Sequence, residues 1–219
     1  MTKPEFIARQ SRRPTGLLGA IVARVMARET RPENARALQL LDLADGDSLI
    51  DIGCGHGEAL CAADAMVRLS DSAGVDFSEV MLKRARARNR DAVWEARLTL
   101  DCADTSALPF PDNSFDKALS VHTIYFWPDP AAHLTEAFRV LRPGGRFVLC
   151  YRSTADRRAV DGFPDTVYRF PSVQDVEATL STIRFSQPHT LTDNIAGRLT
   201  HWTVADKSNY TNHVNGGAV

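Results

Sequence analysis

The chain predicts a doubly wound α/β fold, on three observations. Apolar segments of strand length alternate with amphipathic helical stretches from residue 48 to 185, the pattern of βαβ units and of a mostly parallel sheet covered on both faces. A glycine-rich turn, DIGCGHG (51–57), follows the first of these strands. The next strand ends in an acidic residue, Asp76. The 219 residues suit one domain with an appendage, at roughly 150 residues per domain.

The N-terminal arm, residues 1–44, reads as helical. SRRPTGLLGAIVA (11–23) places a twin arginine before an apolar stretch, as export signals do. Arg24 and Arg28 interrupt that stretch and no A-x-A site follows, so an amphipathic helix is preferred. Its stripe is Leu17, Leu18, Ile21, Val22, Val25 and Met26. Pro32, a second helix over 34–43 and the turn ADGD lead into the core, 45–206.

The core elements follow in order. SLIDIG is a buried strand and GEALCAADAMVRL a helix; AGVDF is the second strand, and Ser78 caps the helix EVMLKRARARN. RLTLDCAD and FDKALSVH are strands three and four. Asp129 as cap and Pro130 at the first position open a helix with Leu134, Ala137, Phe138 and Leu141 on its buried stripe, ending at RPGG. RFVLCYR is strand five, and Ser172 opens a helix whose apolar positions are Val173, Val176, Leu180 and Ile183. Two weaker strands fall at 188–194 and 199–206, before a polar tail, 207–219.

Composition excludes several functions. Twenty-six basic and 27 acidic residues leave a net charge of −1, so no positive field draws nucleic acid or an anionic membrane. The basic run KRARARNR (83–90) lies on a sheet-covering helix and reads as a solvated face. No stretch approaches the roughly 18 apolar residues of a membrane span. Cys54, Cys61, Cys102 and Cys150 form no C-x-x-C pair, so neither a disulfide framework nor a zinc site is expected and a reducing cytoplasm suits them.

In doubly wound sheets ligands bind beyond the carboxyl ends of the strands, where the strand order reverses. Gly53, Gly55 and Gly57 let the backbone turn tightly and approach a ligand. A dinucleotide fingerprint would put its third glycine at 58, where Glu58 stands instead. A carboxylate there disfavours pyrophosphate, and with it a nicotinamide-dependent oxidoreductase. Asp51, in the strand end, suits a cationic ligand. Asp76 follows Gly57 by 19 residues, a spacing that suits ribose hydroxyls. Asp104 can accept from an adenine amino group and Phe77 can pack on the ring; each Asp also suits a simple turn role.

The series DIGCGHG, GVDFSEVML, CADTSALPFPDNSFD and AFRVLRPGGRFVL closely resembles the class I S-adenosylmethionine-dependent methyltransferases. Within these it is most similar to the type 11 group that includes the ubiquinone and menaquinone biosynthesis enzymes. The resemblance spans about residues 40–185 and implies a seven-stranded Rossmann-like sheet whose last strand is antiparallel. It implies S-adenosylmethionine as cofactor and a small-molecule methyl acceptor. By position, Asp51, Gly53, Gly55 and Gly57, with Cys54 between them, would line the methionine end. Asp76 would hold the ribose, Phe77 would flank the adenine, and Asp104 with Thr105 would meet its edge. Ala103 stands where many relatives carry Gly. The N-terminal helices would cover the cofactor, with Arg13 reaching the methionine carboxylate or serving only as a solvated helix start. A methyltransferase-like protein that binds cofactor without catalysis is the remaining alternative.

The implied reversal between strands one and four places SVHTIYFWPDP (120–130) at the transferable methyl. His122 can serve as general base or as a hydrogen-bonded structural histidine. Tyr125 can orient a substrate, and Phe126 or Trp127 can supply an apolar wall with a cation–π contact to sulfonium. No [DNS]-P-P-[YF] signature is present, which disfavours a base or glutamine-amide substrate. No carboxylate cluster suggests a metal. Motifs leave the acceptor atom and the oligomeric state open.

Overall fold

The computed structural model describes residues 2–12, 14 and 30–209. The expected stripe at Leu17–Met26, Arg13, and the tail beyond residue 209 lie outside these. An N-terminal helix that periodicity did not single out, α1 (Glu5–Arg12), precedes α2 (Arg31–Leu41). Then come β1 (Ser48–Ile52), α3 (Glu58–Met66), β2 (Asp71–Asp76), α4 (Glu79–Arg88), α5 (Arg90–Trp94) and β3 (Leu98–Cys102). β4 (Phe115–Val121) is followed by a short 3₁₀ turn (Ile124–Phe126), α6 (Pro130–Val140) and β5 (Leu141–Tyr151). The last described elements are α7 (Arg157–Gly162), α8 (Val173–Ile183), β6 (Phe185–Ile195) and β7 (Arg198–Lys207).

The seven strands form one sheet in the order β3-β2-β1-β4-β5-β7-β6. β1 pairs in parallel with both β2 and β4, so the order reverses between β1 and β4. β7 runs antiparallel to β5 and β6. Along β5, Phe147, Leu149 and Tyr151 enter one core, while Val148 and Cys150 enter the other. That period of two across a sheet covered on both faces is why its strands read as continuous apolar runs.

Local chemistry sets the helix ends. Asp129 accepts from the Ala131 amide at 3.0 Å with Pro130 in the first turn, and Ser172 accepts from the Asp175 amide at 3.0 Å, as N-caps do. The second helix starts earlier than expected and takes Pro32 into its first turn; it stops at Asp42, which is left-handed at φ 54°. Strand five is longer than RFVLCYR because Leu141 already pairs with Phe115, and RPGG is absorbed at a register shift instead of forming a loop. Lys207 belongs to β7, with its ammonium on the carbonyls of Phe138 and Leu141 at 2.8 and 2.7 Å. Among the described residues, no helix is long and apolar enough to cross a membrane, and all four cysteines are free thiols.

Candidate active site

A cavity of about 320 Å³ opens at the carboxyl ends of β1, β2 and β4. Asp51, Gly53, Cys54 and Gly55 form its floor. The amides of Gly53 and Cys54 both donate to the Val75 carbonyl, at 2.8 and 3.0 Å, folding the loop over the end of β2. Gly53 and Gly55 take positive φ, 80° and 53°, which residues with a Cβ adopt at a cost. Gly57 does not line the cavity. A Cβ there would lie 2.9 Å from that of Ala85, and its carbonyl accepts from Asn89 at 3.0 Å, so this glycine seats α3 against α4 and not the ligand.

Two carboxyls, those of Asp51 and Asp76, line this floor. Asp76 is buried and accepts from the amides of Gly55 at 2.9 Å and Ser78 at 2.8 Å. Burial raises its pKa, against the pull of those two bonds. Asp51 is 4% exposed and makes no side-chain hydrogen bond among the described residues. Burial, with the nearby Asp76 charge, pushes it up to about 7. A buried carboxyl on a cavity wall without a partner is what a cationic ligand relieves.

Phe77 (39% exposed), Asp104 and Thr105 lie farther along the same wall. Asp104 accepts from the amide and hydroxyl of Ser106, both at 2.9 Å, and these bonds hold its carboxyl below the usual range. Thr105 bonds the Nδ1 of His133 at 2.7 Å. His133, which sequence reasoning missed, stacks on Trp127 with ring centroids 4.7 Å apart and planes 6° from parallel. Its helical spacing carried no sign that it would face the cavity.

Glu58 opens α3 beside the cavity and pairs with Arg31 at 2.8 Å and His56 at 3.1 Å. A carboxylate therefore occupies the helix N-terminus that a pyrophosphate would need. N-terminal residues also line the cavity: Ser11 and Arg12 of α1, Pro14, Thr30 just before α2, and Asn34 in its first turn.

The β4 end departs from expectation in detail. His122 lines the cavity, but both ring nitrogens are engaged: Nε2 with Glu33 at 2.9 Å and Nδ1 with the Tyr125 hydroxyl at 2.8 Å. Accepting a substrate proton would require Tyr125 to give way. Tyr125 itself is turned inward, 4% exposed and off the cavity wall. Its hydroxyl accepts from the Arg152 amide at 2.6 Å, and its ring packs on Phe126, Tyr168 and Phe170. The expected substrate contact at Tyr125 is thus replaced by an internal one, because a ring buried among aromatics needs its hydroxyl satisfied locally. Phe126 and Trp127 do form the apolar wall.

Residues 50–149 match a family described as a methyltransferase domain. The chain is 39% identical over 118 residues to the 27-O-demethylrifamycin SV methyltransferase of Amycolatopsis mediterranei, covering 52% of this chain and 42% of that protein. It is 29% identical over 175 residues to the ubiquinone/menaquinone biosynthesis C-methyltransferase UbiE of Geobacter sulfurreducens, covering 68% of each. Among solved structures, the geranyl diphosphate C-methyltransferase of Streptomyces coelicolor, with S-adenosyl-L-homocysteine bound, superposes with a TM-score of 0.66 at 16% identity over 80% of this chain and 75% of that one. The chain spans less than half the length of the rifamycin relative. The sheet order, with its reversal between β1 and β4, gives this chain the fold of that solved methyltransferase, and the matched domain covers residues 50–149 of it.

Proposed function

We propose that the protein transfers a methyl group from S-adenosylmethionine to a small-molecule acceptor by direct displacement. The observation that carries this is the Asp51 carboxyl, buried on the cavity floor near Asp76 with no hydrogen-bond partner among the described residues. It fits the cationic methionine end of this cofactor, as the bare backbone of Gly53 and Gly55 fits its close approach. When bound, the cofactor supplies an electrophilic methyl on a sulfonium whose thioether leaves readily.

The chain's own residues then bind and place. Asp76 keeps acceptor capacity for ribose hydroxyls beyond its two backbone bonds. Phe77 offers a flat apolar face, and Asp104 and Thr105 offer polar groups to the adenine edge. Phe126 and Trp127 wall the acceptor side and exclude water there. With both nitrogens of His122 occupied, catalysis rests mainly on placement. A net charge of −1 supports a small molecule over nucleic acid as substrate, and four free thiols support a cytoplasmic setting.

The test is titration with S-adenosylhomocysteine and with NAD, followed by incubation with methyl-labelled S-adenosylmethionine and a small-molecule extract. Binding of S-adenosylhomocysteine and one labelled product are expected. Tight NAD binding without S-adenosylhomocysteine binding would overturn the reading, and cofactor binding without any labelled product would leave only a binding protein.

A further inference from the structure

Glu33 sits in the first turn of α2 and is fully buried. Its carboxylate accepts from His122 Nε2 at 2.9 Å, Thr200 Oγ1 at 3.2 Å and Arg152 Nη2 at 3.3 Å. Its backbone carbonyl accepts from Trp202 Nε1 at 3.2 Å. One residue of the N-terminal cover is therefore tied to the end of β4, to the end of β5 and to β7. Burial works against ionisation, yet the hydrogen bond from His122 and the charge and bond of Arg152 hold the carboxyl down at about 2, so it is a carboxylate at any ordinary pH.

A carboxylate only accepts hydrogen bonds, so Nε2 of His122 must be the protonated ring nitrogen, and Nδ1 is left to face Tyr125. The ring therefore has a fixed tautomer and orientation. Its backbone is left-handed at φ 57°, a conformation that a residue with a Cβ keeps only where its surroundings over-determine it. The surroundings here are the two ring bonds and the amide, which donates to the Cys150 carbonyl at 2.9 Å. From this residue the chain turns directly into Phe126 and Trp127 on the cavity wall.

We propose that Glu33 is a positioning residue for methyl transfer: by fixing the Nε2–H tautomer of His122 it holds the strained turn that carries the Phe126–Trp127 wall against the acceptor. The proposal rests on the methyltransferase reading above and adds to it a residue that touches neither cofactor nor reacting atoms. The cofactor floor, Asp51 to Gly55 and Asp76, shares no hydrogen bond with Glu33, so binding and turnover separate when Glu33 is changed.

The test compares wild type, Glu33→Gln and Glu33→Asp by three measurements. Nitrogen-15 NMR reads the His122 tautomer, calorimetry reads S-adenosylhomocysteine affinity, and label transfer from methyl-labelled S-adenosylmethionine into a small-molecule extract gives apparent KM and maximal rate. Wild type should show the Nε2–H form. Glu33→Gln should lower the maximal rate by about 10- to 100-fold, as a displaced reacting geometry does, with KM for S-adenosylmethionine and S-adenosylhomocysteine affinity little changed and the tautomer mixed. Glu33→Asp, which keeps the charge, should recover part of the rate together with the tautomer. An Nδ1–H form in wild type overturns the proposal, even if neither variant folds. So does a wild-type rate in Glu33→Gln, or parallel loss of affinity and rate with the tautomer intact. Absence of label transfer by wild type would sink the methyltransferase reading instead, and the tautomer result would still judge Glu33.

Discussion

Thr123 stands directly against Gly53: a Cβ built on the glycine would lie 2.2 Å from Thr123 Cγ2. The glycine loop after β1 and the turn after β4 thus stand close against each other, with Gly53 at φ 80°. Gly53→Ala should therefore suffer twice, by about 1–2 kcal/mol for the left-handed backbone and again for the clash. Thr123→Ser removes Cγ2 but keeps the hydroxyl that bonds Ser120. The double variant should recover the clash component and not the backbone component, a coupling of about 0.5–3 kcal/mol in denaturant melts. Strict additivity would show that the contact is not tight in solution.

Asp51 should make stability and binding oppose each other. Its folded pKa of about 7 lies above its ordinary 3.8, so between those values the folded protein holds a proton that the unfolded chain has released. Stability then falls as pH rises from about 4 to 7, by about 4 kcal/mol in all. Asp51→Asn should lose that fall and melt higher than wild type at pH 8, with little difference at pH 4. The same variant should bind S-adenosylhomocysteine at least tenfold more weakly, for want of a charge-assisted partner. Lower melting at pH 8 would mean the carboxylate is compensated in the free protein.

Asp76 supports the loop as well as any ribose. Asp76→Ala strips the acceptors from the Gly55 and Ser78 amides, and each charge-assisted bond contributes about 1.5–3 kcal/mol. Calorimetry should show cofactor affinity lost by at least 100-fold, with partial retention in Asp76→Asn. Unchanged affinity in folded Asp76→Ala would make it a turn residue only.

His122 separates proton transfer from placement. Glutamine can set its amide N–H where Nε2–H meets Glu33 but cannot act as a base. If placement is the role, His122→Gln should keep label transfer within about tenfold of wild type while His122→Ala loses about 100-fold. Equal losses of about 10²- to 10⁴-fold in both would restore the general-base role.

Glu33 should set the acid limit of the fold. Its pKa falls from an ordinary 4.5 to about 2 when folded, so its contribution is complete above pH 4.5 and lost as pH falls toward 2, about 3 kcal/mol in total. Acid titration of Glu33→Gln followed by circular dichroism should show a shallower loss of stability across that window than wild type.

Much of this protein was legible without coordinates because the relevant forces are local. Asp129 and Ser172 announce helix starts by capping amides two or three residues away. The alternation of strand and helix dictates the parallel layers, and the positions of Asp51, Gly53 and Asp76 at strand ends carry them to the cavity whatever the loops do. Long-range pairing decided the rest. Glu33 and His122 are 89 residues apart, and nothing near Glu33 distinguishes a buried carboxylate from an ordinary first-turn acid that favours the helix dipole. Tyr125 and Trp127 are neighbours in one motif, yet one turns into the aromatic core and the other faces the cavity, because the first could satisfy its hydroxyl inside and the second found His133 to stack on. Gly57 sits in the same loop as Gly53, but Ala85 behind it determines that its missing Cβ serves helix packing. Sequence by itself set the core strands, the main helices between them and the strand ends that line the cavity; tertiary structure added the short helices α1, α5 and α7 and chose which side chains face the cavity, since burial and hydrogen-bond satisfaction are settled between segments distant along the chain.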